Sequence, residues 1–385
     1  MLTESTRLRD FPSLADQVYL NTAAESIPPL SVGEAIQDYW RDKLLGMDGR
    51  QGHFSRVEAC REVSARMLGM APEEVSFASC SSEAYNLLAS ALNLRGPDEV
   101  VVSDLDFPAG ATPWLRMPEP PAVRVWRAAA GELEVETLEP LLNERTRLVQ
   151  VSLISFYNGH RIAWRPFHDV VRRRAPNALI AVDVTQALGR VILDCEGADA
   201  VISSTHKWTL GIHGGCIIGI PSRNAERLTT RAGGWYHLRN AFDPDRFERA
   251  LSKSGAASFS VGMPNFVSLY ALDASLRYLE GIGVPEIVAH AEPLVARVHE
   301  GLRELGIVPL CPPQPLNPTG IIAFRHERSE EIHAALLDED IHVMHHAGRI
   351  RIAVHGYNCE TDVHRLLAVI RGQARLARVS RVGGS

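Results

Sequence analysis

Residues 179–207 read LIAVDVTQALGRVILDCEGADAVISSTHK, and this stretch contains two apolar runs that each lead into polar side chains. Leu179–Val184 and Ala200–Ser204 are nearly continuous and β-branched, which is typical of strands buried on both faces of a parallel sheet. Asp183 stands at the end of the first run, and Lys207 follows the end of the second. Because ligands bind at the carboxyl ends of strands in open α/β sheets, both side chains are candidates for a ligand site.

Similar runs lie on both sides of this stretch and alternate with helical patterns. The alternation predicts an α/β domain with a mostly parallel sheet over residues 46–263. After residue 264 longer helices surround two short strands, which predicts a smaller α+β domain over residues 264–385, with residues 1–45 packing on it. The other strands predicted are Val75–Ala78, Val100–Ser103, Val123–Trp126, Leu148–Leu153 and Cys216–Ile220 in the large domain, and Gly320–Phe324 and Ile350–Val354 in the small one.

The composition excludes several classes of protein. The chain has 385 residues and a formal net charge of −6 with both signs interspersed, which argues against nucleic acid as a partner. Its longest apolar runs are too short to span a membrane, and six cysteines without CxxC spacing indicate reduced thiols in a cytoplasmic protein. Lysine is scarce, with only Lys43, Lys207 and Lys253 among 40 basic residues. Chemistry that needs a lysine amine therefore has few candidates.

Three features suit a phosphorylated, planar ligand. Lys207 leaves a buried strand within Ser-Ser-Thr-His-Lys and could form a Schiff base with an aldehyde. Ser81 and Ser82 follow a strand and begin an amphipathic helix, whose free N–H groups bind anions; a plain N-cap is the alternative. Phe107 follows a third strand and could stack on a ring, or simply pack in the core. For Asp183, the alternative is a cap on the following helix.

In order and spacing these features resemble the class V aminotransferase family of pyridoxal-5'-phosphate (PLP) enzymes, which includes cysteine desulfurases, kynureninases and isopenicillin-N-epimerase-like proteins. The resemblance runs from residues 19–24 (YLNTAA) to residues 351–358 (RIAVHGYN). Its most specific part is the pair Asp183-x-x-Gln186 and Ser204-x-His206-Lys207. It implies a PLP-dependent transferase fold of the aspartate-aminotransferase type, with Lys207 as the Schiff-base residue.

The resemblance also implies a role for each neighbour of Lys207. Asp183 would pair with the pyridinium nitrogen and preserve the electron sink, while Gln186 would hydrogen-bond the phenolic oxygen. Phe107 would stack on the cofactor ring. Arg351 would clamp the carboxylate of an amino-acid substrate, a bidentate geometry that lysine cannot reproduce, and Asn21 would line the substrate side. The phosphate would be held by Ser81, Ser82, Ser204 and His206.

Family members are typically homodimers, which implies that the Gly262-Met263-Pro264 turn of one subunit reaches the cofactor of the other. Desulfurases carry histidine where this chain has Phe107, and a catalytic cysteine in the segment that here reads MHHAGR, residues 344–349. We therefore expect no persulfide-forming desulfurase. The asparagine usual after the fourth strand is replaced by Phe156, unless Asn158 takes its place.

Several alternatives stay open at this point. Transamination, β-elimination or kynureninase-type cleavage, and epimerisation all remain possible reactions, as does a non-catalytic PLP-binding protein. A nicotinamide-dependent oxidoreductase would require the motif G-x-G-x-x-G after the first strand, whereas residues 77–81 (FASCS) contain no glycine.

His345 and His346 are either pocket residues or polar turn residues. Since neither has an acidic or cysteine partner at ligand spacing, the sequence predicts no metal site.

Overall fold

The computed structural model describes residues 1–314 and 319–382. Its helices are α1 (Glu4–Asp10), α2 (Leu30–Leu44), α3 (Arg50–Leu68), α4 (Ser81–Leu92), α5 (Pro108–Arg116), α6 (Val135–Leu138), α7 (Trp164–Arg174), α8 (Phe266–Ile282), α9 (Val284–Glu304), α10 (Ser329–Asp338) and α11 (Glu360–Val382). Its strands are β1 (Val18–Tyr19), β2 (Val75–Ala78), β3 (Glu99–Ser103), β4 (Ala122–Trp126), β5 (Thr146–Ser152), β6 (Leu179–Asp183), β7 (Ala200–Ser204), β8 (Cys216–Gly219), β9 (Ile321–Arg325), β10 (Ile341–His342), β11 (Met344–His346) and β12 (Arg349–Ala353).

A seven-stranded sheet in the order β2-β8-β7-β6-β5-β3-β4 forms the centre of the molecule. Six strands run in the same direction, and β8 is antiparallel to both of its neighbours. The connection from β7 to β8 is too short for a helical crossover, so the chain turns back directly. Alternate residues of β3 enter different cores, Val101 on one face and Val100 on the other. The predicted α/β fold with its mostly parallel sheet is confirmed.

A three-stranded antiparallel sheet, in the order β11-β12-β9, forms the C-terminal unit with α9, α10 and α11. Buried residues of these helices, such as Val298 and Leu366, share one core with Phe324 and Ile350 of the sheet. The sequence predicts β9 and β12 to within one residue, but it does not predict β10 and β11. These two strands are short and rich in histidine, so they carry no apolar alternation.

The N-terminal residues divide between the two units. β1 pairs with β10 in parallel, and a buried ion pair of 3.2 Å joins Arg7 to Asp362 of α11. By contrast, α2 packs against α3 and α8, and the buried side of α8 belongs to the core of the large sheet. The boundaries near residues 46 and 264 stay a prediction. No helix in the described part of the chain is both long and apolar enough to cross a membrane.

Candidate active site

Lys207 lies three residues beyond β7, at the edge where the parallel strands end. Its amine nitrogen lies 5.4 Å from the centre of the Phe107 ring. Burial lowers the pKa of the Lys207 ammonium to about 8; the Asp183 carboxylate opposes this shift and the Arg351 guanidinium adds to it. The fold thus brings together four residues from distant segments, and it lowers the pKa of the lysine amine so far that half of it is deprotonated near pH 8.

Asp183 ends β6 and pairs in register with Ile202 of the neighbouring strand β7. Its Oδ1 accepts the N–H of Thr185 at 2.8 Å, and its Oδ2 accepts the hydroxyl of Tyr85 at 2.6 Å. Burial, and then the negative charge of Asp183, holds the pKa of Tyr85 well above its usual range, so the phenol stays a donor. Both carboxylate oxygens are oriented, and each retains acceptor capacity for a further partner.

Tyr85 contacts Asp183, although the sequence analysis does not single it out. It lies on the buried face of α4, among apolar neighbours such as Ala84 and Leu88. A buried tyrosine usually has a hydrogen-bond partner for its hydroxyl, so a tyrosine in an apolar stripe indicates that such a partner exists. The sequence does not indicate which residue it is, because Asp183 is 98 residues away along the chain.

The start of α4 has backbone N–H groups that could bind an anion. Cys80 is the N-cap but makes no side-chain cap hydrogen bond, so the first-turn N–H groups are not covered by a side chain. Ser81 and Ser82 begin the helix. Ala78, at the end of β2, and Ser204, at the end of β7, both pair in register with Cys216 of β8. Ala78 and Ser204 therefore lie two strand spacings apart, about 10 Å between backbones, and Ser81 and Ser82 follow shortly after Ala78.

His206 belongs to the same edge of the sheet. Burial, with the like charges of Lys207 and His213, lowers the pKa of His206 to about 4, so the imidazole is neutral. Its ring stacks on that of His213, with centroids 4.2 Å apart, and its backbone carbonyl accepts the N–H of Ser26. Held in this way, the neutral ring can donate one hydrogen bond to an anion.

Two aromatic rings lie on the side of the site that faces Lys207. Phe107 is 46% exposed, and Phe156 meets it edge to face with centroids 5.0 Å apart. Asn158 does not take the place of Phe156, because its amide donates to the carbonyls of Gly131 and Leu310, which lie in two other segments. The ring of Phe107 therefore offers an open face next to the lysine amine, as a stacking residue requires.

Gln186 and Asn21 both retain unused hydrogen-bonding capacity. The Oε1 of Gln186 accepts the indole N–H of Trp208 at 2.6 Å, and its Nε2 donates to the carbonyl of Ala23 at 3.0 Å. One amide N–H of Gln186 stays available. Asn21 forms a parallel bridge with Ala353 of β12, and its buried Oδ1 has no partner within residues 1–314 and 319–382.

Arg351 lies in the middle of β12 and is almost fully buried. Its Nη1 donates to the carbonyl of Phe156 at 2.7 Å, whereas its Nε has no partner in the described part of the chain. Burial, and then the like charge of Arg349, lowers the pKa of Arg351 to about 9. A buried guanidinium with an unused N–H is suited to receive an acidic group from outside the chain.

The two histidines of β11 lie on opposite faces of the small sheet. His345 contacts Ser329 at 3.1 Å and stacks on His333 of α10, while His346 pairs in register with Arg349. Both histidines therefore lie in a strand, and the alternative that they are polar turn residues is wrong. Only His346 lies on the face that carries Arg349 and Arg351.

A possible metal-binding trio, Glu132, His160 and Cys311, lies apart from these residues, and the sequence does not predict it. Ligand atoms of the three lie within 4.8 Å of one another. Both ring nitrogens of His160 are already engaged, Nε2 with the N–H of Leu133 and Nδ1 with the amide of Gln314. A metal ion would have to displace one of these contacts.

The Gly262-Met263 turn lies on the surface of the molecule. Met263 is 40% exposed, and the turn lines a cavity of about 170 Å³ together with Ser79 and Glu83, close to the start of α4. It therefore lies near the serines proposed to bind phosphate in its own chain.

The fold and this lysine-centred site fit a planar aldehyde that carries a phosphate, and they define the class of pyridoxal-phosphate enzymes. The orphan Nε of Arg351, the uncapped start of α4 and the open face of Phe107 are the observations that fit. The sequence model of the aminotransferase class-V family matches residues 18–380, and the chain belongs to that family.

Individual relatives agree with this assignment. An uncharacterized aminotransferase, YcbU of Bacillus subtilis, is 28% identical over 93% of this chain and 94% of its own length. A probable cysteine desulfurase of Methanothermobacter thermautotrophicus is 28% identical over 95% of this chain and 96% of its own length. Among solved structures, the apo cysteine desulfurase of Thermococcus onnurineus superimposes with a TM-score of 0.86 at 22% identity, covering 97% of this chain and 99% of that one. The last similarity supports the fold alone.

Proposed function

We propose that this protein is a class V PLP enzyme that acts on an α-amino acid by transamination or β-elimination, with Lys207 as the covalent and proton-transferring residue. The observation that carries the proposal is the environment of the Lys207 amine. The pKa of this amine is lowered by burial and depends on the charges of the Asp183 carboxylate and the Arg351 guanidinium. The amine also faces the ring of Phe107. A lysine poised in this way can serve as both nucleophile and base near neutral pH.

PLP supplies an aldehyde that condenses with amines and a ring that accepts electrons from the substrate's Cα. The chain's own side chains orient these groups. Asp183, held by Tyr85 and Thr185, would pair with the ring nitrogen of the cofactor, and Gln186 would donate to its phenolic oxygen. Arg351 binds the substrate carboxylate, and the amine of Lys207 holds or moves the proton at Cα.

We further propose that no protein persulfide forms. The segment between β11 and β12 is a tight hairpin, with Ala347 (φ 51°) and Gly348 (φ 72°) between the paired residues His346 and Arg349. Two central residues with positive φ are typical of a two-residue type I′ turn. Persulfide chemistry needs a mobile thiolate that reaches the substrate sulfur. This turn contains no thiol, and its two residues are too few to form a mobile loop that could bring a thiol to the substrate.

The cysteines elsewhere support the same exclusion. All six lie in the described part of the chain, and Cys80, at the start of α4, is the exposed one. Burial raises the pKa of the other five thiols, to about 11 for Cys195, to about 12 for Cys311, and also for Cys60, Cys216 and Cys359. The relative named as a probable cysteine desulfurase weighs against the exclusion, which rests on this chain's hairpin and thiols; the relative named as an aminotransferase favours transamination.

The experiment is incubation of the PLP-loaded enzyme with cysteine, followed by product analysis and mass spectrometry of every thiol. Pyruvate with free sulfide would select β-elimination, and a keto acid with pyridoxamine phosphate would select transamination. Alanine together with a persulfide on any cysteine would overturn the exclusion. Cys80→Ala is the matched control, because it removes the exposed thiol without adding a capping side chain and should leave the products unchanged. Lys207→Ala should abolish all of them.

A homodimer is proposed on separate grounds. Four large apolar side chains at the end of α2 and just beyond it are 60–72% exposed, namely Trp40, Leu44, Leu45 and Met47. An exposed apolar cluster of this kind is typical of a protein interface. The exposed Gly262-Met263 turn would then be free to approach the partner's cofactor. Light scattering on the purified protein should give twice the chain mass, and Met47→Glu should shift it towards the monomer.

A further inference from the structure

Three arginines meet at the substrate side of the site. Arg349 and Arg351 are two residues apart on β12, so both side chains lie on the same face of the sheet. Arg325 of β9 pairs in register with Arg349 and lies beside it on that face. Arg349 and Arg351 are buried, and Arg325 is exposed at the rim. Positive charge therefore extends from the neighbourhood of Lys207 outward along β12.

The backbone of one loop holds the two buried guanidiniums. Arg351 donates to the carbonyl of Phe156 at 2.7 Å, and Arg349 donates to the carbonyl of the next residue, Tyr157, at 2.6 Å. Arg325 donates to the hydroxyl of Tyr157 at 3.0 Å and to the carbonyl of Ala347. All of these acceptors are neutral. They orient the guanidiniums without balancing their charge.

The neighbouring arginines of this cluster repel one another. Among the groups described, the neighbouring charge that shifts the pKa of Arg351 is the like charge of Arg349. Burial lowers the pKa of Arg349; Tyr157 opposes this shift, and the like charge of Arg325 adds to it to a lesser degree. Buried charges are costly unless they are paired, and natural proteins seldom leave two side by side without a counter-ion.

A purely structural role explains the position of Arg349 but not its unbalanced charge. Its guanidinium lies 4.1 Å from the centre of the Tyr157 ring, a favourable cation–π contact. That contact would stabilise Arg349 in the fold, but it leaves the net charge of the pair unchanged. An anion bound next to Arg349 would supply the missing charge.

We propose that the substrate carries a second acidic group, and that Arg349, with Arg325 at the rim, receives it. This inference rests on the proposed function, in which Arg351 takes the α-carboxylate. Alternate residues of a strand are about 7 Å apart, and each guanidinium reaches well beyond its own backbone. Arg351 and Arg349 can therefore contact the two acidic groups of one aspartate- or glutamate-sized amino acid. The substrate class is thus an α-amino acid whose side chain ends in a carboxylate or a sulfinate, both of which match the fork of an arginine.

The first test compares acidic amino acids with neutral analogues of the same shape. Values of kcat/KM are measured for aspartate and glutamate against asparagine and glutamine, and for cysteine sulfinate against cysteine. We expect the acidic member to be preferred about 10- to 100-fold, the range of a charge-assisted hydrogen-bonded pair. Arg349→Gln should reduce the ratio towards one. Arg303→Gln, an 80% exposed arginine on α9, is the control and should leave the ratio unchanged.

The second test does not depend on turnover. Succinate and glutarate, which lack the amino group, are titrated calorimetrically into the holoenzyme beside butyrate. Tighter binding of the diacids that disappears in Arg349→Gln supports the second site. If Arg349→Gln fails to fold, Arg349→Lys keeps the charge, loses the fork and should show an intermediate preference.

The outcomes separate the two proposals. If Lys207 carries no pyridoxyl group after borohydride reduction, the proposed function fails. If Lys207 is labelled and amino acids react, but diacids bind no tighter than butyrate and Arg349→Gln leaves the kcat/KM ratio unchanged, the second acidic site is wrong and the proposed function stands.

Discussion

The reactivity of Lys207 towards PLP should follow the titration of an amine with a pKa of about 8. At pH 7 such an amine is about 10% deprotonated, compared with about 0.03% for an ordinary lysine with a pKa of 10.5, so the reactive form is about 300-fold more abundant. The shift arises chiefly from burial at the end of β7. It should therefore be present in the folded apoprotein before any cofactor binds.

The assay adds PLP to the apoprotein from about pH 6 to about pH 10 and traps the adduct with borohydride at short times. Initial rates are divided by those of Nα-acetyl-lysine under the same conditions, which removes the titration of the cofactor itself. The ratio should be largest below pH 8 and should fall as ordinary lysines also lose their proton. Peptide mapping should place the pyridoxyl group on Lys207, with Lys43→Arg and Lys253→Arg unaffected.

Two variants should move the midpoint in opposite directions. Arg351 lowers the pKa of Lys207, so Arg351→Gln should raise the midpoint; Asp183 raises this pKa, so Asp183→Asn should lower it. A midpoint that stays near pH 10 in the wild type, or that moves the same way in both variants, would refute the reasoning.

Four further outcomes are expected. Asp183→Asn should keep the circular dichroism spectrum but reduce kcat about 100-fold, because the electron sink loses its partner; a loss of only a few-fold would contradict the role. Tyr85→Phe removes one donor to that carboxylate and should reduce kcat about tenfold with little change in KM, whereas a purely structural tyrosine would change the melting temperature alone. Arg351→Lys should raise KM for an amino acid about tenfold or more but not for its decarboxylated amine, and an equal change for both would exclude carboxylate binding. Arg7→Ala leaves the buried Asp362 without its partner and should lower the free energy of unfolding by about 3–5 kcal/mol in urea titrations; a change below 1 kcal/mol would show that the pair is not important.

Much of the fold could be predicted because local patterns carry it. The β-branched runs from Val75 to Ile220 predict the seven central strands, since strands buried on both faces must be apolar along their length. The small strands β10 and β11 could not be predicted in this way. β10 is stabilised by its pairing with β1, more than 320 residues earlier in the chain, and β11 by its pairing with β12. Such pairing leaves no periodic signal.

The sequence by itself determined two candidates at the site: one lysine of three after a buried strand, and an aspartate at the end of the preceding strand. It did so because the ends of parallel strands meet at one edge of a sheet. Arg351 was a candidate through the resemblance to the family alone. The tertiary structure decided how these groups act on one another. The lowered pKa of Lys207, the hydrogen bond from Tyr85 to Asp183 and the uncompensated charge of Arg349 all depend on burial and on distances between segments remote in sequence. Electrostatic interactions are set by distance and by exclusion of water, and the order of residues along the chain specifies neither.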